Sequence, residues 1–108
     1  RPIFITETSA GYNDEEKIRW LRTSVEAVHQ LRQKNMPIDG YAWWPLFDAV
    51  QWTYRFDSSP VEEHMRPGGW NNGLYIMEKG FDGIFRRIKT NAADEYKKII
   101  ASTHIESV

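Results

Sequence analysis

Near the start of the chain, a single carboxylate closes an apolar run: Pro2-Ile3-Phe4-Ile5-Thr6-Glu7. Residues of strand character lead straight into Glu7, and Thr8, Ser9, Ala10 and Gly11 follow it. The pattern reads as a buried strand that delivers a carboxylate to its C-terminal end, which makes Glu7 the candidate for chemistry. Taken by itself, the local string equally describes a solvated glutamate at the start of a loop. A second cluster lies further on. Of the five tryptophans, Trp43, Trp44 and Trp52 fall close together. Clustered Trp rings can be core, and they can also form a sugar-stacking site, because a flat ring covers the C–H face of a pyranose.

The surrounding elements must hold these residues in place. Residues 3 to 6 suit a strand covered on both faces, as in a parallel sheet. A turn-like stretch through Ser9, Gly11 and Asn13 precedes a helix starting near Asn13 or Asp14. Asp14, Glu15 and Glu16 crowd its first turn, where negative charge meets the positive end of the helix dipole. Ile18, Leu21, Val25, Val28 and Leu31 repeat at three and four residues and give one apolar face. Arg32 and Lys34 lie near its end, and Pro37 stops it. A second strand is expected from about Asp39 to Trp44, bounded by Pro37 and Pro45, with a short helical turn from Leu46 to Gln51. Residues 57 to 73 are polar and rich in Gly, Pro and Asn, and read as a long loop. Leu74, Tyr75 and Ile76 suit a short extended piece. A last helix starts near Asn91, with Asn91 and Asp94 as its cap and N3 residue and Tyr96, Ile99 and Ile100 as its inner face.

The order is strand, long helix, strand, long irregular connection, helix. These are two consecutive β/α units, since parallel strands need such crossovers. Two parallel strands leave both sheet edges open and are marginal in water. A closed β/α barrel takes about 250 residues, against 108 here. The expected fold is therefore α/β, a fragment of a (β/α)8 TIM barrel. Residues 1–108 form its C-terminal portion, not an autonomous complete domain.

Composition narrows the function classes. A formal net charge of −1 leaves no broad basic field for phosphates, so nucleic acid is not the expected partner. No apolar run is long enough to cross a bilayer, so no membrane partner is expected; no signal-peptide pattern stands at the start, and the location stays unknown, with the cytoplasm favoured. There are no cysteines, which excludes disulfides and thiolate metal sites. His29, His64 and His104 lie far apart without ligand spacing, and no metal is expected.

Two motifs, in this order and at this spacing, resemble the C-terminal part of glycoside hydrolase family 1, the retaining β-glucosidases. Pro2-Ile3-Phe4-Ile5-Thr6-Glu7 is similar to the family's strand-seven motif, in which Thr-Glu is followed by Asn-Gly. The segment from Gly40-Tyr41-Ala42-Trp43-Trp44 through Leu46, Asp48, Gln51 and Trp52 is similar to its strand-eight motif. Arg55-Phe56 fits the Arg-Phe that follows, and Arg87-Ile88-Lys89 with Ala92 and Tyr96 resembles the lead-in to its last helix. The chain departs from the pattern at Thr8-Ser9, which replace Asn-Gly, at Pro45, where Ser is usual, and at Gln51, where a Glu is usual. The loop after Phe56 is also longer.

The resemblance implies that the fragment comprises strands seven and eight with their helices. It implies Glu7 as the catalytic nucleophile, Trp44 as the platform beneath the sugar, and Gln51 and Trp52 as contacts to glycone hydroxyls. It also implies a cis bond before Pro45, carbohydrate as substrate, and no cofactor. An amide at position 51 still donates and accepts, more weakly than a carboxylate would; the alternative for Gln51 is a surface amide. Neighbouring strand residues point to opposite faces, so Trp43 is assigned to the core. Asp48 is expected to brace the short turn, and Arg55 to pair with Asp48 or another acid. Retaining hydrolysis needs two carboxyl groups about 5 Å apart. The Asn-Glu-Pro setting of the family's acid/base residue is absent here, so the chain holds half of the pair. Glu15, Glu16 and Glu26 belong to a helix, and nothing positions Glu62 or Glu63. The expected partner is the remaining N-terminal part of the barrel, removed by cleavage or supplied as another chain. The competing reading is a non-catalytic barrel piece that binds carbohydrate or serves in assembly.

Overall fold

The computed structural model describes residues 1–11, 13–48, 56, 58–60, 63–64 and 72–106, the last four as backbone only. Strand β1 (Ile3–Thr8) leads to helix α1 (Asp14–Gln33), and strand β2 (Ile38–Trp43) pairs with β1 in parallel. Strands β3 (Tyr75–Lys79) and β4 (Phe85–Lys89) form an antiparallel hairpin, and helix α2 (Asn91–Glu106) ends the described chain. The first unit is therefore the expected strand–helix–strand crossover. The expected irregular connection contains a hairpin that the sequence reading missed.

Helix α1 begins where its chemistry says it should. The Asn13 side chain caps it, accepting from the Glu16 N–H at 2.9 Å. It ends with Asn35 at φ 64°, a left-handed position that Asn tolerates, ahead of Pro37. The face it turns inward is less apolar than its periodicity suggests. Leu21 is fully buried, but Leu31 is exposed, and the other fully enclosed side chain is Lys17, only 1 % exposed. The core collects Leu21 from α1, Trp43 from β2, Leu74 and Ala92, with Ile18, Tyr41, Tyr96 and Ile99 packed around it. Trp43 thus has the core role assigned to it.

Helix α2 starts at Asn91 as expected, but its cap is a different residue. Thr90 Oγ1 accepts from the Ala93 N–H at 3.4 Å and donates to the Leu74 carbonyl at 2.6 Å. Asp94 instead accepts from Lys89 Nζ at 2.8 Å. A buried Thr at the strand–helix junction outcompetes the exposed Asn91, because one hydroxyl serves both elements. In the hairpin turn Gly83 takes φ 79°, and the Asp82 carboxylate accepts from the Ile84 N–H and pairs with Arg86.

Strand β1 corrects the expectation of a buried strand. Ile3 is 43 % and Phe4 59 % exposed, and only Ile5 and Thr8 are half buried. The physical reason is that among the described elements β1 has one neighbour, β2, and helices cover one face of the pair.

Candidate active site

The register between β1 and β2 sets which way Glu7 faces. Ile5 lies opposite Tyr41 and Thr8 opposite Trp43, so Thr6 and Glu7 together face the single residue Ala42. This is a one-residue bulge in β1. Tyr41 and Trp43 are on the helix side: the Tyr41 hydroxyl is 2.7 Å from Ser24 Oγ of α1, and Trp43 packs with Leu21. Ile5 and Thr8 share that side and are half buried, whereas Thr6 and Glu7 are exposed on the other. The bulge therefore puts both residues on the helix-free face. Phe4 lies on that face as well, and its ring occupies the space that a Cβ on Gly40 would need.

The ends of the two strands are tied together. The Trp44 N–H donates to the Thr8 carbonyl at 3.0 Å, so Trp44 stands beside the residue after Glu7. Trp44 directly follows the last residue of β2, so it stands at the same end of the sheet as Glu7. Trp44 is half buried, and the Trp44–Pro45 peptide is cis, as expected.

The support beneath these ends is polar, and the sequence reading did not find it. Thr8 Oγ1 accepts from the Trp20 indole N–H at 2.7 Å, which anchors β1 to α1. Ser9 Oγ accepts from Asn72 Nδ2 at 2.9 Å, while the Asn72 carbonyl accepts from the Trp43 indole N–H at 2.8 Å. Thr8 and Ser9 had stood out only as departures from a motif. Asn72 gave no signal, being 63 residues from Ser9 in a polar stretch.

One residue further on, Gly73 is held from both sides. Its N–H donates to Asp48 Oδ1 at 2.8 Å, and its carbonyl accepts from Lys17 Nζ at 2.9 Å. Asp48 thus braces the connection after β2 against Gly73, a long-range partner, whereas the expected turn from Leu46 to Gln51 lies in part outside the described residues. The Asp48 N–H and the Tyr75 N–H continue the brace, donating to Tyr75 and Leu46 carbonyls respectively. Burial lowers the Lys17 pKa from its ordinary value, against the pull of Asp48 and Asp14. Burial raises that of Asp48, against the Gly73 N–H and Lys17. Burial also raises that of Tyr41, against its bond with Ser24.

Of the expected site residues, Glu7 and Trp44 are brought to adjacent strand ends. Gln51 and Trp52 lie outside the described residues, as do Arg55 and Glu62. Glu63 is exposed, and Glu15, Glu16 and Glu26 are on α1, as expected. An open cavity of about 180 Å³ lies at the far end of β2, between α1 and α2, lined by Val25, His29, Ile38, Tyr41, Tyr96 and Ile99. It opens beside the first residues of β2, away from Glu7, and is not the candidate site. Among the described residues no group of three or more His, Asp or Glu side chains is placed to hold a metal ion, and no helix is long and apolar enough to cross a membrane.

No family model matches the chain. Solved structures do. A β-glucosidase from Exiguobacterium marinum matches 94 % of this chain at 27 % identity and a TM-score of 0.68, over 22 % of its own length. The GH1 β-glucosidase from Exiguobacterium antarcticum B7 matches 94 % of this chain at 25 % identity and a TM-score of 0.69, over 21 % of its length. The chain thus spans about a fifth of these enzymes, and it resembles the family 1 β-glucosidases in fold as it does in motif.

Proposed function

We propose that this chain is the C-terminal part, the last two β/α units, of a barrel that hydrolyses β-linked glycosides with retention, and that Glu7 is its nucleophile. The observation that carries the reading is the bulge, which presents Glu7 at the end of β1 on the helix-free face, beside Trp44. The C-terminal ends of strands are where barrel enzymes place catalytic groups. The likeness to solved β-glucosidases over 94 % of the chain supports it.

The reaction runs in two displacements. A Glu7 carboxylate oxygen bonds to the anomeric carbon as the glycosidic C–O bond breaks, and the partner carboxylic acid protonates the leaving oxygen. Water, deprotonated by the same partner, then attacks the anomeric carbon and releases Glu7 from its ester. Trp44 provides the apolar platform for the sugar ring, and Gln51 and Trp52 hold glycone hydroxyls. The remaining part of the barrel supplies the acid/base carboxyl and covers the open edges of β1 and β2, so the chain is not an autonomous domain.

The test is covalent labelling. In the protein that joins this chain to the rest of its barrel, a 2-deoxy-2-fluoro β-glycoside should label Glu7. Glu7→Ala should lower turnover by about three powers of ten or more, roughly 4 kcal/mol, and azide should restore part of it. A label on another carboxylate, or near-normal turnover of Glu7→Ala, would overturn the assignment.

A further inference from the structure

We propose that Ser9 and Asn72 are positioning residues, forming a clamp that holds together the strand ends carrying Glu7 and Trp44; the proposal rests on the catalytic reading of Glu7. Asn72 bonds to both strand ends at once. Its Nδ2 donates to Ser9 Oγ, two residues beyond Glu7, and its carbonyl accepts from the indole of Trp43, the residue before Trp44. Asn72 is in turn held by its neighbour, since Gly73 is bonded to Asp48 and to the buried Lys17. The other side of β1 is anchored through Thr8 to Trp20. Glu7 is therefore followed by two hydroxyls, one bonded to α1 and the other to Asn72.

This arrangement gives the departures from the family motif a role. A glycine at position 9 has no side chain and could accept nothing from Asn72. The hydroxyl of Ser9 supplies the bond between Asn72 and the residue after β1. Reactivity falls steeply when a nucleophile is displaced by a fraction of a bond length, so groups that lock its strand act on rate more than on binding.

The test uses the complete protein and two readouts. Ser9→Ala removes only the hydroxyl and leaves every core side chain in place. It should slow labelling of Glu7 by a 2-deoxy-2-fluoro β-glycoside about tenfold, the scale of one hydrogen bond, at an unchanged half-saturating concentration. Asn72→Ala should do the same, the double variant should be no slower than either, and Ser9→Thr should restore the rate. Deuterium exchange of the Trp43 indole N–H, followed by NMR, should quicken about tenfold in Ser9→Ala, although Ser9 does not bond to Trp43. This second readout needs no turnover. An unlabelled parent with faster indole exchange in Ser9→Ala would refute the glycosidase reading and leave the clamp standing. Unchanged indole exchange, additive losses in the double variant, or Ser9→Thr as slow as Ser9→Ala would overturn the clamp.

Discussion

Lys17 is the residue whose replacement most directly tests the polar support under the site. It is 1 % exposed, its ammonium donates to the Gly73 carbonyl, and its charge partly offsets the burial of Asp48. Lys17→Met keeps most of the apolar stem and removes the charge and the donor. The Gly73 carbonyl then loses its partner in the interior, at a cost of about 1–3 kcal/mol. The Asp48 carboxylate also loses the favourable field of the Lys17 charge. Asp48 is half buried and keeps the Gly73 N–H, and removing the Lys17 charge also removes its own burial cost, so the total should stay within the carbonyl's share, about 1–3 kcal/mol. The loss should depend on pH. The folded-state pKa of Asp48 is raised, so the folded protein binds the proton more tightly than the unfolded one, and this group's contribution falls as pH rises through the carboxylate range. Without Lys17 that pKa rises further. The destabilisation by Lys17→Met should therefore be largest at pH 7 and shrink toward pH 4. Asp48→Asn removes the charge but keeps the acceptor for the Gly73 N–H, and it should recover part of the loss in the Lys17→Met background. Urea unfolding of the complete protein, followed by tryptophan fluorescence at both pH values, measures each quantity. A loss independent of pH, or a double variant weaker than Lys17→Met, would refute the electrostatic coupling.

Two further outcomes follow from the faces of β2. Gly40→Ala should cost about 1–3 kcal/mol of stability in a urea titration, because its methyl group collides with the Phe4 ring, and Phe4→Ala in the same chain should relieve the collision. Trp43→Ala should lower stability by about 3–5 kcal/mol, since Trp43 is a core residue, whereas Trp44→Ala, at a half-buried position, should cost less stability and reduce kcat/KM for β-glycosides.

Much of this arrangement is written in local chemistry. Asn13 and the acidic first turn predict where α1 begins, and the prolines at 37 and 45 bracket β2 to within one residue at either end. The strand-to-glutamate string places Glu7 at a strand end, and alternation assigns Trp43 to the core. The β3–β4 hairpin was missed because β4 holds only two apolar residues, Phe85 and Ile88, among basic ones. Asp82-Gly83, a common hairpin dipeptide, was the signal that could have found it.

Short-range preferences, namely caps, breakers and the alternation of side chains, were thus determined by the sequence itself, because each depends on neighbours within one turn of helix or two residues of strand. Tertiary structure decided the rest. It set the bulge that turns both Thr6 and Glu7 to the helix-free face, since register is fixed by pairing with a strand some thirty residues away. It buried Lys17 on a face that periodicity assigns to apolar side chains, because the Gly73 carbonyl, 56 residues distant, needs a donor there. It also joined Ser9 to Asn72 across 63 residues. No local pattern encodes such a pair, because a hydroxyl and an amide become partners only when packing removes water from around them.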